Sequence, residues 1–128
     1  MPANPLSKYL SEVEAAFRKL PSGYIERYEE EWLTPKRVNL RIRVRFPKGQ
    51  MLEWNEAVIG EEGNVEHLAY RYHFQAKDNK VIFRYDNTPH FPALKAFPDH
   101  KHLPENVLPA TRLSVLKVLY EVNQTLKP

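Results

Sequence analysis

Residues 37–46 alternate strictly between polar and apolar side chains, and this pattern constrains the fold more than any other feature of the sequence. Successive side chains of a β-strand point to opposite faces, so a two-residue period predicts a half-buried strand. The polar positions are Arg37, Asn39, Arg41, Arg43 and Arg45, and the apolar ones are Val38, Leu40, Ile42, Val44 and Phe46. The sequence therefore predicts a strand with one core face and one face rich in arginine.

Similar patterns predict strands at residues 51–59, 65–75 and 81–86, and the aromatic and glutamate-rich residues 24–33 predict another. Leu68, Tyr70, Tyr72 and Phe74 are expected on the core face, with His67 among the polar positions opposite. Apolar residues at helical spacing after Asn4 and Pro5 predict an N-terminal helix, and a second helix is predicted after Pro109. Residues 87–109 follow neither period and are predicted to form a loop.

The predicted fold class is α+β, an antiparallel sheet meander of about five strands flanked by an N-terminal and a C-terminal helix. Both helices are expected to cover one face of the sheet, which leaves the other face polar and open. The 128 residues suit a single domain spanning positions 1–128. Cysteine is absent, and no apolar run approaches the roughly 20 residues of a membrane helix. We therefore expect a cytoplasmic protein without disulfides, cofactor or membrane partner.

The polar face offers a candidate nucleic-acid interface. If neighbouring strands pair, this face collects the candidate phosphate-binding arginines together with His73 and Asp86: Arg41, Arg43, Arg45, Arg71 and Arg84. Guanidinium groups suit phosphate oxygens, and a basic sheet can follow a nucleic-acid backbone. The glutamates at 26, 29, 30 and 31 favour a second interpretation, in which ion pairs between strands neutralise the arginines.

Asp86 and His90 lie four residues apart, where the last predicted strand ends. A carboxylate beside an imidazole can orient the ring for acid–base chemistry near neutral pH, so Asp86 could serve His90 or His73. Alternatively, Asp86 and Asn87 cap a turn through bonds from side chain to backbone.

His100 and His102 flank Lys101 and follow Asp99. Two histidines and an acid could bind a divalent metal, but a further ligand would have to come from elsewhere in the fold. The same residues suit metal-free RNA cleavage, with one imidazole as base, another as acid, and Lys101 as a cation on the phosphate. We predict no metal, and we take as candidate catalytic residues His73, Asp86, His90, His100 and His102.

Three motifs resemble the TumE family, the toxin component of prokaryotic toxin–antitoxin pairs. They are Tyr-Arg-Tyr-His-Phe-Gln at 70–75, Phe-Arg-Tyr-Asp-Asn-Thr-Pro-His at 83–90 and Phe-Pro-Asp-His-Lys-His at 97–102. One departure is Phe91, where the family pattern has a second histidine after His90. The resemblance implies a toxin with an antitoxin partner, usually of the helix-turn-helix type.

Two functions follow from the residues and the resemblance together. The first is a toxin that acts as a small endoribonuclease through histidine acid–base chemistry. The alternative is a module without catalysis that binds nucleic acid or protein through the arginine-rich face.

Overall fold

The computed structural model describes residues 4–89, 91 and 93–127. Its elements are α1 (Pro5–Arg18), β1 (Tyr24–Thr34), β2 (Arg37–Arg45), β3 (Met51–Glu61), β4 (Asn64–Gln75), β5 (Val81–Asp86), β6 (His100–His102), β7 (Val107–Pro109) and α2 (Val115–Leu126). The strands form one seven-stranded sheet in sequence order, and every neighbouring pair is antiparallel. The predicted α+β meander with two terminal helices is confirmed.

The expectation of about five strands was too low, because β6 and β7 lie within residues predicted to be a loop. Each of these strands has three residues, too few to show a two-residue period. They form a hairpin closed by a bond from the Leu103 N–H to the Asn106 carbonyl, at 2.9 Å. β6 extends the sheet because it pairs with the end of β5.

Both helices pack on one face of the sheet, as the alternation predicts. The Asn4 side chain accepts a hydrogen bond from the Leu6 N–H at 2.9 Å and caps α1, with Pro5 at its first position. The buried residues of both helices join the apolar face of β2–β5 in one core, whose largest side chains include Phe17, Trp54, Tyr72 and Phe74. Within the described residues, neither helix is long and apolar enough to span a membrane.

A bulge in β4 corrects the predicted faces of two residues. The register of β3 and β4 shifts between Ala57 and Val58, so Ala57 pairs with Ala69 while Val58 pairs with His67. The additional residue, Leu68, is 43 % exposed, and the His67 side chain turns toward the helices. An inserted residue changes the face of every position beyond it, which is why strict alternation misplaced both.

The turned His67 completes a buried polar cluster around Glu56. The Glu56 carboxylate, only 4 % exposed, accepts hydrogen bonds from the hydroxyls of Tyr9 and Tyr72, and His67 Nε2 lies 2.8 Å from it. Burial opposes ionisation of Glu56, but the bonds from His67 and the tyrosines outweigh it and lower its pKa. The cluster therefore ties α1 to β3 and β4 through a carboxylate that is ionised at neutral pH.

Replacement of Glu56 by glutamine should lower the free energy of unfolding at pH 7 by about 1–3 kcal/mol, because buried donors lose a charged acceptor. The pKa of Glu56 is lower in the folded than in the unfolded protein. Its stabilising effect is therefore complete above the unfolded pKa and is lost as the pH falls through the folded pKa. Urea unfolding from pH 7 to pH 3 should show a weaker pH dependence in Glu56→Gln than in the unmodified chain.

The exposed Glu66 on the same hairpin provides the control. Glu66→Gln should leave both the stability and its pH dependence close to those of the unmodified chain. Equal effects of the two substitutions would contradict a stabilising role for the buried carboxylate.

Candidate functional site

The sheet face opposite the helices, here called the open face, carries two parallel rows of polar side chains. In the first row Arg41, Asn55, Arg71, Asp86 and His100 are successive partners across β2–β6. In the second row the successive partners are Arg43, Glu53, His73, Arg84 and His102. Adjacent strands lie about 4.8 Å apart, so neighbours within a row stand side by side.

Ion pairs occupy part of the arginine set and leave part of it available. Arg45 Nε lies 3.3 Å from Glu26, and Arg43 pairs with Glu53 across the strands. Among the described residues, no acidic group forms an ion pair with Arg41 or Arg71. Neutralisation between strands is therefore partial. The arginines without an ion pair are Arg41 on β2 and Arg71 on β4, whereas Arg84 on β5 pairs with Asp86.

Arg71 on β4 and Arg84 on β5 bring two guanidinium groups close together. Burial lowers the pKa of Arg71, and the neighbouring charge of Arg84 lowers it further. Arg84 Nε is buried without a hydrogen bond to a described residue, 3.6 Å from Asp86 Oδ2. Two neighbouring guanidinium groups with an unsatisfied donor can bind an anion, and the nearby carboxylates of Asp86 and Glu53 offset part of the charge on Arg71.

Asp86 is the centre of the site. It is 3 % exposed, and its Oδ1 accepts a hydrogen bond from the Thr88 N–H at 3.0 Å. The same oxygen lies 2.8 Å from His100 Nε2, while Oδ2 lies 3.5 Å from His102 Nε2. Asp86 thus caps a turn, as the second interpretation predicts. The imidazoles that it contacts are those of His100 and His102 instead of His73, and His90 lies outside the described residues.

The two histidines of β6 differ in exposure. His100 is 1 % exposed, and its Nδ1 donates a hydrogen bond to the Pro98 carbonyl at 2.9 Å. His102 is partly exposed on the open face, and the Phe91 ring packs edge-on against both imidazoles. His102 can therefore meet a substrate, whereas His100 lies beneath the surface and supports Asp86.

His73 stands beside Arg84 in the second row. Its Nε2 lies 2.9 Å from the Gln75 side-chain oxygen, and its Nδ1 is buried without a partner among the described residues. Burial lowers the pKa of His73, and the nearby Arg71 and Arg84 charges lower it further. His73 is consequently a neutral ring whose two nitrogens are both turned away from solvent or already bonded.

Lys101 does not join the arginines, which corrects its placement as a phosphate-binding residue of this face. Alternation along β6 sends it to the helix side of the sheet, opposite His100 and His102. There its Nζ lies 2.7 Å from Glu121 Oε2 of α2 and 4.9 Å from the centre of the Tyr85 ring. Lys101 fastens β6 to the second helix.

Asp99 and His90 are the remaining residues that the sequence placed near the site. Asp99, expected beside the histidine pair, accepts a hydrogen bond from the Tyr70 hydroxyl at 2.7 Å and takes no part in the cluster. His90 lies outside the described residues, so its role stays a prediction.

A cleft of about 300 Å³ opens on the open face next to Asp86. Ala57 and Ala69 form part of its floor, and its polar lining includes Asn39, Asn55, Asn87, Arg41 and Arg71. The sequence placed Asn39 on this face and Asn87 after the last long strand, but it did not indicate the cleft. Nothing in the pattern showed that the small side chains of Ala57 and Ala69 would leave a depression there.

The fold and the site define a small α+β protein with an arginine- and histidine-bearing sheet face. The model of one family, described as Toxin TumE, matches residues 14–126, a range that includes every strand and all the site residues above. The chain therefore belongs to the TumE toxin family. No curated protein and no solved structure matches it.

The imidazole of His73 should titrate below 6.5, since burial and two guanidinium charges disfavour its protonated form. NMR titration of the histidine ring nitrogens measures this directly. Arg84→Gln should raise the pKa of His73 toward 6.5, whereas Arg37→Gln, on the same face but far along β2, should not. A His73 pKa above 6.5 in the unmodified chain would contradict this electrostatic environment.

Proposed function

We propose that this TumE-family toxin binds single-stranded RNA on its open face and cleaves it beside Asp86. The observation that carries the proposal is the convergence of Arg71, Arg84, Asp86 and His102 on three adjacent strands. It combines cations for a phosphate with a carboxylate–imidazole pair for proton transfer.

Arg71 and Arg84 are the proposed phosphate ligands. Arg71 forms no ion pair with a described residue. Arg84 lies 3.6 Å from Asp86 in an ion pair, but its buried Nε donor forms no hydrogen bond with a described residue. A phosphodiester between them would accept hydrogen bonds from both groups and relieve their mutual repulsion. Arg41, in the same row as Arg71, extends the positive track toward β2.

The cleft beside Asp86 supports RNA as the bound polymer. Amide side chains donate and accept hydrogen bonds, as recognition of an unstacked base requires. In the cleft lining the Asn55 amide has no hydrogen bond to a described residue, whereas the Asn39 amide bonds Glu31 and the Asn87 amide bonds the β4 backbone. Because the cleft adjoins the phosphate-binding arginines, a base placed in it would position the neighbouring phosphodiester next to His102.

His102 is the proposed proton-transfer group of this site. Asp86 Oδ2 lies near its Nε2 and can hold the ring in one orientation, and the ring reaches the open face. The buried His100 fixes Asp86, and the bonded, neutral His73 packs beside Arg84. His73 and His100 are thus positioning residues in this proposal. His102 abstracts the 2′-hydroxyl proton as the 2′-oxygen bonds to phosphorus, and water protonates the 5′-oxygen as its bond to phosphorus breaks, which leaves a 2′,3′-cyclic phosphate.

A cleavage assay with a fluorescent single-stranded RNA tests the proposal. His102→Gln should reduce the rate by about 10²–10⁴-fold, as loss of a general base does. Arg71→Gln should weaken RNA binding and reduce the salt dependence of affinity by about one unit of slope. The matched control is Arg37→Gln, which removes a charge from a distant part of the open face and should behave like the unmodified chain.

Absence of cleavage by the unmodified chain would overturn the ribonuclease proposal. If the chain then still bound RNA, and if Arg41→Gln with Arg71→Gln abolished that binding, the alternative of a binding module without catalysis would replace it. The unpaired state of these two arginines favours that alternative over a purely structural face.

We also propose that an antitoxin protein neutralises this chain, as membership of a toxin family implies in general. A helix-turn-helix antitoxin is the type that the resemblance to the TumE family implies. Induced expression of the chain alone should arrest growth, and co-expression of its antitoxin should restore it. Normal growth with folded, soluble chain would contradict a toxic activity.

A further inference from the structure

Three potential metal ligands converge at the junction of β5 and β6. One ligand atom each from Asp86, His100 and His102 lie within 4.8 Å of one another, and Asp86 and His100 are buried. Two imidazole nitrogens and one carboxylate oxygen form a ligand set typical of a divalent transition-metal ion that keeps positions open for water or substrate.

The hydrogen bonding of His100 places two acceptor atoms, His100 Nε2 and Asp86 Oδ1, next to each other inside the protein. Its Nδ1 must carry a proton, because it donates to the Pro98 carbonyl. In the neutral ring Nε2 then presents a lone pair, and this atom lies 2.8 Å from Asp86 Oδ1. Two acceptors at that distance repel each other unless a proton or a metal cation lies beside them.

Geometry favours the metal over the proton. Although His100 Nε2 is close to Asp86, it forms no hydrogen bond with any described residue, so an N–H on this nitrogen would not point along the line to the carboxylate. A lone pair on Nε2 has the same direction, off the line to the carboxylate, and a cation coordinated by both atoms also lies to one side of the line that joins them. A bond from the distal N–H of the ring to a backbone carbonyl is the usual support for a metal-binding histidine.

We propose that Asp86, His100 and His102 bind one divalent transition-metal ion, with Zn²⁺ as the natural first candidate. Imidazole ligands favour such ions over Mg²⁺, which prefers oxygen. Asp86 and His100 form the buried side of the site, and the partly exposed His102 forms its solvent side, which gives an ion a path of entry from the open face.

This inference rests on the ligand geometry and does not depend on RNA cleavage. It bears on the proposed function in one respect: a metal-bound His102 is a ligand and no longer the base that abstracts a proton. Sensitivity of RNA cleavage to EDTA therefore separates the two roles of His102.

Isothermal titration of the EDTA-treated, desalted chain with ZnCl₂ tests the site. We expect one Zn²⁺ per chain, a rise in the thermal unfolding temperature on addition of zinc, and no binding of MgCl₂. His102→Gln and His100→Gln should each weaken Zn²⁺ binding by at least about 100-fold, more than the loss of a supporting contact would cause. His73→Gln, which removes an imidazole from the same face outside the cluster, should bind like the unmodified chain.

Circular dichroism shows whether each variant is folded. If the buried His100→Gln variant is unfolded, zinc binding is compared between the partly exposed His102→Gln and the control His73→Gln alone. Absence of zinc binding by the unmodified chain, or equal binding by His102→Gln and His73→Gln, would overturn the proposed site. RNA cleavage that persists in EDTA, together with absent zinc binding, would leave the ribonuclease proposal standing without the metal. Zinc binding without any RNA cleavage would support the metal site and overturn the ribonuclease proposal.

Discussion

The pairing of β6 with β5 is the interaction on which the candidate site depends. A strand of three residues forms few backbone hydrogen bonds, so its side chains must help to hold it. They do so on both faces, because Lys101 forms an ion pair with Glu121 beneath the sheet while His100 contacts Asp86 on the open face. The same alternation that anchors β6 thus sets two imidazoles beside one carboxylate. If β6 were detached, His100 and His102 would belong to a loop and Asp86 would lose two of its partners.

The sequence allowed the open face to be predicted wherever strands were long. In β2 and β4 the two-residue period placed Arg41, Arg43, Arg71 and His73 together, and the register confirms that they share a face. The prediction failed where a bulge interrupted the two-residue period or where a strand was too short to show it. The bulge at Leu68 moved His67 to the core, and β6 was too short to reveal that Lys101 would face away from its neighbours. The partners of Asp86 could not be predicted either, since residues 86 and 100 pair across a long connection, residues 87–99, that follows neither the helical nor the strand period.

The two faces of the sheet use charge differently: on the helix side a buried charge stabilises the fold, and on the open face some charges have no ion-pair partner. On the helix side, Glu56 is buried among hydroxyl donors and His67, and its ionised form joins α1 to the sheet. On the open face, glutamates of β1 and β3 pair with Arg43 and Arg45, which leaves Arg41 and Arg71 without acidic partners among the described residues. Both arginines line the cleft, and Arg71 is also the cross-strand neighbour of Asp86. Cations without ion pairs beside a cavity raise the local concentration of anionic ligands, which is the effect that a binding surface for a polyanion uses.

The central claim is that the open face at β4–β6 meets RNA. The most direct measurement is an NMR titration of the labelled chain with a short 2′-O-methyl RNA, which cannot react at the 2′ position, observed through arginine Nε–H and histidine ring signals. The account predicts that the signals of Arg71, Arg84 and His102 shift together with RNA, while those of Arg18 on α1 and His67 beneath the sheet stay in place. Shifts at Arg18 and His67, with Arg71 and Arg84 unchanged, would contradict it.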